Sequence, residues 1–238
     1  PDSICVLHLA RQQLKCGQYK QAAVNFQSYL AYDPGNILAL NGLRSCTLAP
    51  QWKANPNLYK VRKEAIFNSR RSDYSPMLVG DDSEILVLTS TRRDATGEDI
   101  SGVTGVKFAD LFQARKNEEG RWQQPEGIEG SVNTEYEDGA SCISPNGRVM
   151  YFTRCSSDPD YPRFAEIWQS SRSDATWGSP TKCEISKDTL SIYAHPAVSP
   201  DGKWLYFVSD APGGMGGLDI WRTMILSSGF GGAEPLGP

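Results

Sequence analysis

One segment occurs three times in this chain with a period of about 55 residues, and this repeat constrains the fold more than any other feature. The clearest copy has the turn sequence Ser-Pro-Asp-Gly at 199–202, an apolar run at 204–208 and Asp-Ile-Trp at 219–221. Proline presets φ, aspartate bonds its own backbone and glycine accepts a positive φ, so 199–202 predicts a turn. The β-branched and aromatic residues after it predict one strand, and Asp-Ile-Trp predicts the start of another.

The other two copies repeat these elements in the same order. Ser-Pro-Asn-Gly at 144–147 precedes an apolar run and then Glu-Ile-Trp at 166–168, while a more eroded copy spans 80–90 and 110–113. Trp122 and Trp177 are 55 residues apart and keep the same period. Asn68, Asn133 and Asp188 precede the first predicted strand of each copy.

A period of about 50 residues with roughly four short strands in each copy is typical of β-propeller blades. We place three blades near 68–127, 128–182 and 183–238, with a strand at 58–67 completing another, and a β-sandwich is the alternative. Neighbouring blades bury faces that one small sheet cannot cover alone. Because propellers usually have four or more blades, we expect further blades in sequence not present here.

An α-helical segment is predicted at 1–49, ahead of a linker at 50–56 and the propeller at 57–238. Apolar residues at helical spacing predict one helix with Leu7, Ala10 and Leu14, and a second that opens at Tyr19. A third begins near Ile37 with Leu40 and Leu43 on its apolar face. The spacing from Gly17 through Tyr19, Ala22, Phe26 and Leu30 to Asp33-Pro34-x-Asn36 resembles a tetratricopeptide repeat, and a plain helical hairpin is the alternative.

Composition excludes several classes of function. The net charge is −4 and no basic run exceeds an arginine pair, so nucleic acid is not an expected partner. No apolar run is long enough to span a bilayer. The six cysteines form no CxxC motif and the two histidines, His8 and His195, lie in different predicted domains, so we predict no metal, no cofactor and no catalytic residue. Calcium at 158–160 and a propeller glycosidase are the weaker alternatives.

The residues that lead into the innermost strand of each blade are the candidate site. In a propeller these segments gather around one mouth of the central channel, where tyrosine and acidic side chains would suit a peptide or protein partner. The alternative is that they bond turns within their own blade. The predicted partner-binding residues are Asp73, Tyr74, Tyr136, Asp138, Tyr193 and His195.

The repeated Ser-Pro-[Asp/Asn]-Gly-x-x-[Leu/Met]-Tyr-Phe motif and the Gly-Gly-Leu-Asp-Ile-Trp at 216–221 resemble the propeller repeats of TolB-like proteins. With the helices before them, they resemble the PorE-like envelope proteins of the type 9 secretion system in Bacteroidota. The resemblance implies a non-enzymatic, periplasmic, outer-membrane-associated scaffold that binds envelope proteins, and peptidoglycan only through an OmpA-like domain not present here. A TolB-like role in envelope integrity and a substrate-gating propeller of a peptidase are the alternatives.

Overall fold

The structure is a computed structural model that describes residues 3–80, 82–101, 104–156, 164–174 and 176–237. These residues are mainly β with three helices, and the chain divides into two compact units, Pro1–Arg62 and Lys63–Pro238. The calcium alternative at 158–160 lies outside the described residues. None of the helices in the described part is long and apolar enough to cross a membrane.

The first unit contains the three helices, α1 (Ser3–Lys15), α2 (Tyr19–Leu30) and α3 (Ile37–Ala54). The predicted start of α3 is confirmed, because the Asn36 side chain caps it by accepting a 3.1 Å hydrogen bond from the Ala39 amide. The helix continues through Pro50 to Ala54, so the predicted end of the helical segment at 49 is wrong. A proline so near the end of a helix interrupts only one turn.

Small and aromatic side chains form the core of this helical unit. Ala10, Ala22, Phe26 and Ala39 are fully buried together, as expected for Ala22 and Phe26. Leu40 is largely exposed, and Ala39 occupies the buried position in its place. The described packing fits both a tetratricopeptide repeat and a plain helical hairpin, so the tetratricopeptide assignment stays a prediction.

The second unit contains thirteen strands in the described residues. Their bounds are β1 (Asp73–Val79), β2 (Ile85–Ser90), β3 (Asp110–Arg115), β4 (Glu126–Gly127), β5 (Glu137–Ile143), β6 (Val149–Cys155), β7 (Ala165–Ser171), β8 (Thr181–Lys182), β9 (Tyr193–Val198), β10 (Trp204–Ser209), β11 (Asp219–Leu226), β12 (Gly229–Phe230) and β13 (Glu234–Pro235). The strand predicted at 58–67 is wrong. That segment has no regular structure, and Leu58 and Val61 are fully exposed.

The strands form three antiparallel sheets, one for each copy of the repeat. Sheet 1 has the order β1-β2-β3-β4 and sheet 2 the order β5-β6-β7-β8. Sheet 3 has β9-β10-β11, with both β12 and β13 paired to β11. The register is also repeated, since Phe152 pairs with Trp168 as Phe207 pairs with Trp221. The three-fold repeat inferred from sequence is therefore confirmed.

The turns between the first two strands of sheets 2 and 3 are the same structure. Ser199 Oγ donates to Asp201 Oδ1 over 2.5 Å and accepts from the Trp204 amide, while Gly202 has φ +72°. Ser144 makes the corresponding bonds, and Gly147 also has φ +72°. Glycine is needed here because other residues seldom adopt a positive φ. The turn predicted from Ser-Pro-Asp-Gly is confirmed.

Consecutive sheets pack face to face through two apolar clusters. Val87 and Leu111 of sheet 1 are buried against Met150 and Phe152 of sheet 2. The second cluster joins sheets 2 and 3 and contains Tyr151, Ile167, Leu205, Phe207 and Trp221. Three sheets stacked in sequence, and not two facing layers, form the described part of the unit. This is a propeller-type arrangement, and the described strands do not close a ring.

The outer face of sheet 3 is not covered by any of the described strands. Ile220 occupies the position of Leu111 and Ile167 in the repeated register. Those two residues are 0% and 1% exposed because the next sheet covers them, whereas Ile220 is 57% exposed. Each sheet therefore depends on a neighbour to bury this face.

Candidate functional site

The first strand of every sheet contains a β-bulge at the same place. In sheet 2, Ala140 and Ser141 lie opposite the single residue Phe152, and the other two sheets show the same irregularity. The first bulge residue is Ser75, Ala140 or His195, with φ between 47° and 54° in all three. A left-handed residue other than glycine is uncommon, so its recurrence at one position is a built feature of the fold.

In sheets 2 and 3 the bulge connects the sheet to the one before it. The amide of Ala140 donates to Thr89 Oγ1 over 2.9 Å, and the amide of His195 donates to Thr153 Oγ1 over 2.8 Å. Thr89 and Thr153 hold equivalent positions on β2 and β6, where both are buried. A hydroxyl of one sheet thus satisfies an amide that the bulge of the next sheet frees from the strand ladder.

The predicted residues Asp73 and Asp138 are both held in ion pairs; the Asp73 pair is largely buried, and the Asp138 carboxylate is fully buried. Asp73 Oδ1 lies 2.8 Å from Arg92 Nη2, and Asp138 Oδ1 lies 2.6 Å from Arg154 Nε. Each aspartate also accepts from the turn before its own strand, from Ser69 in sheet 1 and from Thr134 in sheet 2. These contacts position the first strand and leave the carboxylates little access to a partner.

We expected Asp73 and Tyr74, Tyr136 and Asp138, and Tyr193 and His195 to be equivalent pairs in the three repeats, and the strand register shows a different correspondence. Asp73, Asp138 and Tyr193 hold the same position, so Tyr74 corresponds to Gly139 and Ala194, not to Tyr136. Tyr193 is buried in the core between sheets 2 and 3, with its ring 5.6 Å from that of Phe207. The partner-binding role of the six residues stays a prediction.

Two of the six predicted residues, Tyr74 and His195, line one cavity of about 280 Å³. The cavity lies where the first strands begin and the second strands end. It combines Tyr74 of sheet 1, residues of sheet 2, and the segment at 192–195 of sheet 3. Most of its surface is apolar, and its lining is Tyr74, Glu137, Gly139, Ala140, Thr153, Cys155, Phe164, Ala165, Ile192, Ala194 and His195. Its volume lies at the small end of the range of roughly 300–1,000 Å³ for ligand pockets and is large enough for one or two side chains.

Glu137 is the polar centre of the cavity. Its carboxylate lies near the Tyr74 side chain across the interface between sheets 1 and 2. Burial, with the nearby Glu137 charge, raises the pKa of Tyr74 to about 12, and burial also raises the pKa of Glu137. Burial and the same carboxylate raise the pKa of Cys155 to about 12, so its thiol stays protonated at neutral pH.

Several residues of the site were not identified from sequence. Thr89 and Thr153 occupy matching places at the end of two apolar runs, and alignment of the repeats would have drawn attention to them. Glu137 and Cys155 have no counterpart of similar chemistry in the other copies, whereas Phe164 corresponds to Phe108 of the first copy. The three cavity residues are brought together by the stacking of sheets, which the pattern of one strand does not encode.

Comparisons with known proteins give only distant structural similarity. No family model matches the chain, and no curated protein does. A TolB structure from Acinetobacter baumannii is similar over 72% of this chain and 33% of its own length, with 19% identity and a TM-score of 0.42. A puromycin-hydrolysing peptidase of Mycobacterium tuberculosis is similar over 71% of this chain and 24% of its own, with 15% identity and a TM-score of 0.43. This chain therefore spans about a third or less of either protein.

Proposed function

We propose that this chain is a non-enzymatic binding protein that holds an apolar side chain of a peptide or protein partner in the cavity between its three sheets. The main observation that supports this proposal is that all three sheets line this apolar cavity, sheet 1 through Tyr74, sheet 2 through Phe164 and sheet 3 through Ile192. A tyrosine and a phenylalanine at the rim offer large contact area with few rotamers to order. The backbone around the cavity is fixed by the bulges, so little is lost when a partner binds.

The chemistry of the cavity supports binding in preference to catalysis. Cys155 and His195 share the cavity, which is the pairing that a cysteine hydrolase would need. A reactive cysteine has a lowered pKa, whereas burial and Glu137 raise that of Cys155 to about 12. In the described residues, no group of three or more His, Cys, Asp and Glu side chains is placed to hold a metal ion.

The cellular setting follows from the repeat motifs alone. The resemblance to TolB-like and PorE-like proteins supports a periplasmic, outer-membrane-associated scaffold for envelope proteins, within the type 9 secretion system. Proximity labelling from this chain in a bacterium that has the system should mark secretion-system proteins. Labelling confined to cytoplasmic proteins would contradict this part of the proposal.

The cavity itself is tested with peptides. We expect selection from a displayed peptide library to yield sequences with a recurrent aromatic or large aliphatic residue. Tyr74→Ala and Phe164→Ala should each weaken binding of the selected peptide by about tenfold, since buried aromatic anchors dominate such interfaces. Tyr59→Ala is the matched control, because Tyr59 is highly exposed and lies outside the cavity.

A peptide that binds all three variants equally would show that this cavity is not the binding site. Tyr193 is left unchanged in these experiments, since it is buried in the core and its loss would affect folding.

A further inference from the structure

A second cavity in the same unit has a very different lining. It measures about 410 Å³ and is lined by Ser69, Arg70, Arg71, Arg92 and Arg93. Four of its five lining residues are arginines, in a chain whose net charge is −4. Such a concentration of like charge in an acidic protein calls for a compensating anion.

Two backbone segments are fixed side by side to form this cavity, which we name the arginine pocket. The Thr91 amide donates to the Ser72 carbonyl over 3.0 Å, and the Ser72 amide donates to Thr91 Oγ1 over 3.1 Å. The Ser69 hydroxyl accepts from the Arg71 amide and donates to Asp73. These bonds set the segment before β1 against the segment after β2, so Arg71 and Arg93 are brought to one place from positions 22 residues apart.

Arg92 forms the rigid base of the arginine pocket. It is buried, and its Nε and Nη2 atoms donate to Ser90, Phe67 and Asp73. Nη1 donates one bond of 3.4 Å to the Pro125 carbonyl, which leaves one of its two N–H groups for a ligand. Asp73 neutralises Arg92, so the pocket's other three guanidinium groups supply its excess charge.

The remaining three arginines are exposed. Among the residues that the structure describes, no carboxylate forms an ion pair with Arg70, Arg71 or Arg93. Each guanidinium carries a planar set of donors that matches the oxygens of a carboxylate or a phosphate.

We infer that the arginine pocket binds a phosphate monoester. Three positive charges around a concave site fit an anion that carries up to two charges on three terminal oxygens. A single carboxylate has one negative charge and two oxygens, so it would neutralise only one of the three guanidinium groups. The ester could belong to a soluble molecule or to a lipid headgroup, and the chemistry of recognition is the same.

Calorimetric titration with glycerol 3-phosphate at low ionic strength tests this inference. We expect saturable binding that is stronger than for acetate, and a loss of about tenfold or more in affinity for Arg71→Ser and for Arg93→Ser. Arg148→Ser is the matched control, because it removes the same charge from an exposed position at the turn between β5 and β6. Arg92 is left intact to preserve its buried ion pair.

Vesicles distinguish the two sources of the ester. Flotation with vesicles that contain phosphatidic acid, compared with phosphatidylcholine vesicles, shows whether a lipid phosphate is reached. Binding to these vesicles that depends on Arg71 and Arg93 supports a lipid source, and arginine-dependent binding of glycerol 3-phosphate alone supports a soluble one.

Three results would overturn the inference. They are no saturable binding of either probe, an equal loss of affinity for Arg148→Ser, or tighter binding of an oligoglutamate peptide than of glycerol 3-phosphate. None of these depends on the apolar cavity, whose occupant is tested separately.

Discussion

Arg92 and Arg154 make the same contacts from different positions in their sheets. Arg154 pairs with Glu166 in the strand register at the place that Ser90 holds in sheet 1, and Arg92 comes two residues after Ser90. Each nevertheless donates to the aspartate near the start of the first strand of its sheet, Asp73 or Asp138. Each also donates to the backbone carbonyl six residues before that aspartate, in Phe67 or Val132. Each guanidinium also lies over the equivalent aromatic ring, Phe112 or Trp168, at 4.7 and 4.5 Å. The contact is therefore retained although its sequence position is not.

Arg154→Met should destabilise the protein by about 3–5 kcal/mol, because it leaves the fully buried Asp138 without its partner. Urea unfolding followed by tryptophan fluorescence measures the change. Adding Asp138→Asn to the same chain should recover part of the loss, since the unpaired charge is then removed. If Arg154→Met alone cost less than about 1 kcal/mol, the ion pair would not be a structural requirement.

Thr153→Val should cost about 1–3 kcal/mol, because it keeps the side-chain shape and removes the acceptor of the partly buried hydrogen bond from the His195 amide. Exchange of the His195 amide hydrogen should become faster in the variant. Val208→Thr is the control, since Val208 is the equivalent residue of sheet 3 and has no following sheet in the described chain. Unchanged amide exchange in Thr153→Val would show that the hydroxyl does not hold the sheets together.

Asp110 should make the protein less stable as pH rises from about 4 to about 6. Burial raises the pKa of Asp110 from 3.8 to about 6, so in this interval the folded state binds more protons than the unfolded state. The free energy of unfolding therefore falls with rising pH until Asp110 is ionised in both the folded and the unfolded state. Above about pH 6 Asp110 causes no further change. Within the described residues Asp110 Oδ1 has no hydrogen-bond partner, which accounts for the cost of its charge.

Asp110→Asn should remove this pH dependence and raise stability at neutral pH. Melting temperatures at a series of pH values measure it, with Asp94→Asn as a control at an exposed aspartate. Parallel curves for the two variants would show that Asp110 is not the titrating group.

Gly42→Ala should destabilise the helical unit, against the usual gain of about 1 kcal/mol for replacing glycine within a helix. A Cβ at this position would overlap the ring of Phe26, which is fully buried. Hydrogen exchange of α2 and α3 reports on this unit by itself. Gly35→Ala is the control because a Cβ there meets no atom within 4 Å. Equal protection in the two variants would show that α2 and α3 pack less closely than described.

The repeated sheets could be predicted from sequence because turns and strands are local structures. Pro200-Asp201-Gly202 and the apolar run after it specify a turn and a strand with no reference to the rest of the chain. The helix starts at Tyr19 and Ile37 were predictable for the same reason. In contrast, the exposed segment at 58–67 contains enough apolar residues to suggest a strand, and only the absence of a pairing partner reveals that it is not one.

The candidate site was less predictable because it depends on contacts between sheets. The freed amides of the bulges at Ala140 and His195 are bonded by threonines of the preceding sheet, 51 and 42 residues away. Asp73 and Asp138 were correctly placed at the strand starts, but their burial depends on Arg92 and Arg154, whose positions in the repeat differ. No periodic pattern reveals such a pairing.

The threonine contacts give the stack a direction. The Thr89 hydroxyl of sheet 1 accepts a hydrogen bond from sheet 2, and the Thr153 hydroxyl of sheet 2 accepts one from sheet 3. The corresponding side chain of sheet 3 is Val208, which has a methyl group in place of the hydroxyl. Any sheet or partner that packs on this face of sheet 3 must find another acceptor for its own backbone amides. The two end faces of the described stack of sheets therefore differ, and the threonine contact found between consecutive sheets cannot form at the Val208 face.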